Sequence, residues 1–328
     1  MLRKRKLIYA LIFISLLLII GNILIERFSE QDIVIVQEVS QKVIEEKFQS
    51  VLNDYGIIDS WISKKTPRRK IADSLDHIYK IKIPLDISIA SLIKDINTNF
   101  LDLPVSIESV EKKNYSNSEI KISSNNFLKF SVNLVHDKKI KREYSEFSFV
   151  VKIDDKVNEE VLEKFSKIYF KYKVVFIPSE FSSEIMEELD CDYLVLLNNE
   201  IEDSRFLLDE DYSKQKLVNA IKEIIITFGR KAVYLIDKES RIYKSKIYNL
   251  IKDEFEKRGI SILDLNTLTP LSAETAKQLN SLFGFYVTSL KGKDGKTFFL
   301  SYSDFLALAP QIEKQIKMGD RVTEVSFN

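Results

Sequence analysis

The chain has 328 residues, 45% of them apolar and 30% charged, with 49 basic side chains balancing 49 acidic ones. That balance excludes a disordered chain, which needs low hydrophobicity and high net charge, and the length suggests about two domains. Zero net charge without a basic-aromatic stripe excludes a nucleic-acid partner, and the eight scattered glycines form neither G-x-G-x-x-G nor a P-loop, which removes nucleotide.

Residues 7–25 read LIYALIFISLLLIIGNILI, without a charge, and follow the basic run Arg3, Lys4, Arg5, Lys6. At 1.5 Å per residue they span about 28 Å, close to the ~30 Å hydrocarbon core of a bilayer. The pattern predicts an uncleaved single-pass anchor with its N-terminus in the cytoplasm and everything after Glu26 extracytoplasmic, in the periplasm. A cleaved signal peptide would have a shorter apolar core and small residues at its end, where this chain has Ile23, Leu24, Ile25, Glu26, Arg27. The lipid bilayer is therefore the first expected partner.

Residues 27–76 read as a juxtamembrane helix (39–52, ended by Gly56) and a basic linker at 63–70. Residues 77–136 read as a small α+β module, with strands at 78–83, 105–110, 119–123 and 128–135, a helix at 89–100, and Asn/Ser clusters as turns. After a charged linker at 137–143, residues 146–328 change to strand-helix repeats. Strands are expected at 147–153, 173–177, 192–197, 232–236, 260–265 and 285–290, with one more candidate at 297–300. Helices are expected at 158–170, 181–189, 214–228, 242–257, 272–282 and 303–317. Near-continuous apolar strands are those of a parallel sheet buried on both faces, which predicts a (β/α) barrel-like domain.

In parallel α/β folds sites form at the carboxyl ends of strands. Asp154, Asp155, Glu200, Asp237 and Asp264 fall there, each equally able to serve as a helix cap or solvated loop residue. Asn198 and Asn199 stand beside Glu200 and add hydrogen-bonding amides. The single Cys191 excludes an internal disulfide or a multi-cysteine zinc cluster and reads as filler in an apolar run. G-x-S-x-G is absent and no His follows residue 136, so a serine triad has no base.

The segment Val150, Val151, Lys152, Ile153, Asp154, Asp155 resembles the first-strand signature of the divergent polysaccharide deacetylases. The resemblance continues through KVVFIPSEFSSEIMEEL (173–189). It returns in KRGISILDLNTLTPLSAETAKQLNSLFG (257–284), with Asp264 and Thr267 at the late-strand Asp and Thr. It implies a deformed (β/α)7 barrel in which a divalent metal, typically zinc, is held by one Asp and two His, beside an Asp that serves as base for hydrolysis of an N-acetyl sugar. Asp154 and Asp155 match the base and metal-ligand positions. The other positions depart from the pattern: Asn198 stands where the third-strand His would be, Val233 is nearest the fourth-strand His, and the terminal Gly-His-Pro has no counterpart.

A hydrolytic zinc site needs three protein ligands and an open position for water. The two histidines, His77 and His136, precede the barrel. The expectation is thus a degenerate member without a resident cofactor, which binds an envelope glycan or envelope protein through Asn198, Asn199, Glu200, Asp237, Asp264 and Thr267. The alternative is an active hydrolase with an oxygen-only ligand set, suited to Mg²⁺ or Ca²⁺.

Overall fold

The computed structural model describes residues 38–66, 75, 77–112, 117–154, 157–188 and 192–327, together with Ile14, Ser15, Leu18 and Ile19. The expected anchor at 7–25, apart from those four residues, lies outside the described residues, as do Asp155 and Cys191. Among the described residues no helix is long and apolar enough to cross a membrane. The described chain divides into two compact units, one built on residues up to Val51, Asp59–Ile83 and Ile89–His136, the other on Leu52–Ile58, Pro84–Ser88 and the chain from Asp137.

The first unit is a five-stranded sheet of β1 (Ile62–Lys65), β2 (Ile78–Ile83), β3 (Ser106–Lys112), β4 (Asn117–Ser124) and β5 (Phe127–His136), in the order β1-β2-β5-β4-β3. The linker expected from 63 thus begins as an edge strand. β4 alternates strictly, burying Ser118, Ile120, Ile122 and Ser124, the period-2 signature of a sheet with one face in a core. The helix Ile89–Asn99 buries Ile89, Leu92 and Ile96, a 3–4 spacing that makes one apolar stripe. β4 and β5 are joined by Asn125 and Asn126, whose φ values of 50° and 63° suit asparagine, the non-glycine residue that most readily enters the left-handed region. Phe130 of β5 packs on Phe48 at 4.7 Å and on Tyr79 at 4.8 Å between ring centroids.

The second unit carries β6 (Glu146–Ile153), β7 (Lys173–Phe176), β8 (Tyr193–Leu197), β9 (Val233–Ile236), β10 (Ile262–Asp264), β11 (Thr269–Pro270), β12 (Lys296–Ser301) and β13 (Arg321–Val322). The order is β10-β9-β8-β7-β6-β12-β11, with β13 also on β6, and every pairing is parallel. β6 is apolar on both faces. Phe147, Phe149, Val151 and Ile153 join the helix-facing core, while Val150 packs on the opposite face with Val175, Leu194, Leu196, Leu235, Leu268 and Val325. Phe149 is ringed by Phe170, Phe283, Phe298 and Phe305, at 5.6 to 6.3 Å.

β10 and β11 stand at opposite ends of the strand order, yet only the 3-10 turn Leu265–Thr267 and Leu268 separate them in sequence. Five Cα steps reach at most about 18 Å, so the sheet must curl until its two edges nearly meet. The result is a curled parallel half-barrel, consistent with the deformed (β/α) barrel-like domain expected. The strand expected at 285–290 is instead the second half of the helix Ala276–Leu290, which buries Leu279, Phe283, Val287 and Leu290. Spacings of four, four and three residues place these on one helical face, a longer-range signal that overrides the local run FYVTSL.

Candidate functional site

At the carboxyl ends of β6, β7 and β8 lies a pocket of about 410 Å³, within the range of small-ligand sites. β6 contributes Ile153 and Asp154. The turn after β7 contributes Ile177, Pro178, Ser179, Phe181 and Ser182, and the loop after β8 contributes Asn199, Glu200, Glu202 and Asp203. The turn after β7 therefore supplies apolar side chains together with two hydroxyls, and the loop after β8 supplies carboxylates and an amide.

Each of these segments is set by local hydrogen bonding. Ser179 N–H donates to Ser182 Oγ at 2.9 Å and Ser182 N–H donates to Ser179 Oγ at 3.0 Å, a reciprocal clasp that starts the helix Glu180–Glu188 and satisfies amides left open at its first turn. Asn198, 8% exposed, accepts the Glu200 N–H at 3.1 Å and so turns the chain to present Glu200 to the pocket. Asn199 Oδ1 accepts the N–H groups of Arg241 and Ile242, at 2.6 and 3.3 Å, which fixes the orientation of its amide.

The charges are mostly paired. Lys152, inside β6, reaches Glu200 at 2.5 Å. Asp203 is held by Arg205 at 2.9 Å, and that guanidinium draws its carboxyl below the ordinary range. Glu202 makes no ion pair among the described residues.

The structure separates the expected site residues into two groups. Asp154, Asn199 and Glu200 line the pocket and Asn198 supports it, whereas Asp237, Asp264 and Thr267 do not line it. Asp237 accepts the Glu239 N–H at 2.8 Å, and its carbonyl accepts the Ser240 hydroxyl at 2.6 Å, ahead of the short helix Arg241–Lys244. Asp264 caps the turn Leu265–Thr267 by accepting the Asn266 N–H at 2.9 Å, and Thr267 donates to the Asp264 carbonyl at 2.8 Å. Burial pushes the Asp264 carboxyl up, but the 2.7 Å bond from Lys238 and the Asn266 amide outweigh it and draw it down; the same bond raises the Lys238 ammonium. Sequence reasoning missed Lys152, Ser179, Phe181, Ser182, Glu202 and Asp203. The signal for the last two was present in their position in the loop after β8, the same loop that holds Glu200.

The donor set does not fit a zinc hydrolase. No histidine follows residue 136, and His136 closes β5 in the first unit. Among the described residues no three His, Cys, Asp or Glu side chains converge as a metal-binding group. Glu200, the nearest carboxylate on the third of these strands, is already bound to an ammonium.

No family model matches the chain, and no curated protein matches it. The solved structures it resembles include polysaccharide deacetylases and CE4 family pseudoenzymes. One is the catalytic domain of a peptidoglycan N-acetylglucosamine deacetylase from Eubacterium rectale, 11% identical over 57% of this chain and 91% of that one, with a TM-score of 0.39. Another is a CE4 family pseudoenzyme from Bacillus anthracis, 11% identical over 66% of this chain and 87% of that one, TM-score 0.35. A third is the family 4 carbohydrate esterase PdaA from Bacillus subtilis, 10% identical over 56% and 79%, TM-score 0.29.

Proposed function

We propose that this is a membrane-tethered, extracytoplasmic protein that binds a cell-envelope glycan in the pocket above β6, β7 and β8 and does not hydrolyse it. The observation that carries this reading is the mixed apolar and hydrogen-bonding lining. Ile177, Pro178 and Phe181 offer apolar contacts for the C–H face of a sugar ring, and Asp154, Asn199 and Glu200 offer hydrogen-bonding groups for its hydroxyls. The ligand set for hydroxide generation is missing, because imidazole is absent from this part of the chain and Lys152 occupies Glu200. The tether is supported by the uncharged run at 7–25 and the basic residues before it.

The test uses the full-length chain in detergent micelles, titrated with soluble glucosamine and N-acetylglucosamine oligomers in a calorimeter, while acetate release is followed in parallel. The expected result is saturable binding to at least one oligomer, weakened in Phe181→Ala and Asn199→Ala, without acetate. Acetate release that disappears in Asp154→Asn would replace this reading with a carboxylate-based hydrolase. Extraction of the chain from membranes by carbonate would remove the tether from the proposal.

A further inference from the structure

One end of the first unit's sheet presents two large apolar side chains to solvent. Leu101, in the turn after the helix Ile89–Asn99, is 81% exposed, and Phe127, which opens β5, is 52% exposed. Phe127 pairs with Ser124 at the close of β4, and the Ser124 hydroxyl donates at 3.5 Å to the carbonyl of Pro104, in the turn that holds Leu101. The same hydroxyl oxygen accepts the Val39 N–H at 3.0 Å, and Glu38 pairs with Lys129, so the stretch that leads back to the expected anchor at 7–25 joins the unit at this end. The 13 Cα steps from Ile25 to Glu38 reach at most about 47 Å, which keeps Phe127 and Leu101 close to any bilayer that holds the anchor.

We infer that Leu101 and Phe127 dip into the headgroup region of that bilayer, so that this end of the first unit rests on the lipid surface. The inference rests on the tether proposed above and deepens it. Approach to lipid leaves no bare acid beside the two side chains, because Glu38 is paired with Lys129 and Asp102 with Lys47. An aromatic ring favours the membrane interface, and Leu101 adds apolar area to it. Two such side chains bind a membrane weakly by themselves, but the tether makes the contact intramolecular and raises the effective concentration of lipid. A stable protein partner needs about 1,000 Å² of complementary surface, which two side chains on separate turns do not supply.

The experiment places one tryptophan at a time in the full-length chain, whose single native tryptophan is removed by Trp61→Phe. Phe127→Trp and Leu101→Trp are compared with Val110→Trp, an exposed position further along β3 in the same unit. Each protein is reconstituted in phosphatidylcholine vesicles containing about a fifth phosphatidylglycerol, with and without bromine on the acyl chains, and is washed with carbonate before flotation. The expected result is that Phe127→Trp and Leu101→Trp lose about half or more of their emission to brominated lipid while Val110→Trp loses little, with thermal midpoints matching the parent. Unquenched emission at position 101 or 127, in protein that floats with the vesicles, overturns the contact and leaves the tether standing. Release of the protein by carbonate ends both. Equal quenching at all three positions shows adhesion without orientation and overturns the inference. A blue shift without quenching means that protein, a second copy or a partner, covers this end, and this too overturns it.

Discussion

Lys152 and Glu200 meet at 2.5 Å across two strand positions, the ammonium rising from inside β6 and the carboxylate descending from the loop after β8. The side chains are 26% and 54% exposed, so water screens the pair, and exposed ion pairs contribute about 0 to 1 kcal/mol. Glu200→Gln is expected to leave the urea midpoint nearly unchanged while freeing the Lys152 ammonium into the pocket. Glycan titrations should then show weaker binding, because a carboxylate acceptor of the pocket is lost, and a large loss of stability instead would mean that the pair holds the loop.

Arg142 predicts the opposite behaviour. Its side chain is 8% exposed and donates to Asp86 at 2.6 and 2.8 Å, to the Tyr55 carbonyl at 2.9 Å and to the Lys317 carbonyl at 3.2 Å. Arg142→Ala removes several charge-assisted bonds at once and should cost about 2 to 3 kcal/mol, read from the urea transition. Arg142→Lys should recover little, because one ammonium cannot reproduce the guanidinium fork. Gly319 lies against the same side chain: its φ is +108°, and an added Cβ would stand 2.7 Å from Arg142 Cζ. Gly319→Ala should therefore cost more than about 1 kcal/mol, and less in an Arg142→Ala background, where only the backbone strain remains.

Glu254 should make the second unit acid-sensitive. It is buried in the helix Tyr248–Glu256, and hydrogen bonds from Lys257 at 2.7 Å and Arg258 at 2.8 Å draw its carboxyl down from 4.5 to about 2. A carboxylate with a depressed folded-state pKa contributes stability that is complete above its unfolded value and lost as pH falls through the folded one. The contribution should fade between about pH 4.5 and 2, and Glu254→Gln should flatten the melting temperature over that window. An unchanged acid limb in the variant would mean that other carboxylates carry it.

Asp264 separates a capping role from a binding role. Its carboxylate is engaged by Asn266 and Lys238, away from the pocket lining. Asp264→Ala should cost about 0.5 to 2 kcal/mol, as lost caps do, and leave glycan affinity as it was. A change in affinity without a change in stability would place Asp264 at the ligand after all.

Much of the parallel sheet can be read from the sequence because its strands are short apolar runs bounded by polar loops: Lys173–Phe176, Tyr193–Leu197 and Val233–Ile236 are each recognisable alone. The run at 285–290 misleads for the same reason. Tyr286, Val287 and Thr288 favour strands locally, and only the repeat of Leu279, Phe283 and Val287 across two turns makes the segment a helix. β11 and β13 have two residues each, below the length at which alternation carries information. In the candidate site, Asp154, Asn199 and Glu200 are legible as polar residues directly after buried strands. Asp237 and Asp264 share that signature and serve as turn caps, because strand ends need caps whether or not they border a pocket. Phe181 and Ser182 begin a helix and carry no local mark of the cavity.

The few residues between Asp264 and Thr269 act as a seam. They fasten the first edge of the sheet to the last, so the bending of the strip is imposed by a covalent tie in addition to the twist of its strands. A chain opened by circular permutation within Leu265–Thr267 could retain every strand pairing and yet unroll, as a hoop does when its rivet is drawn.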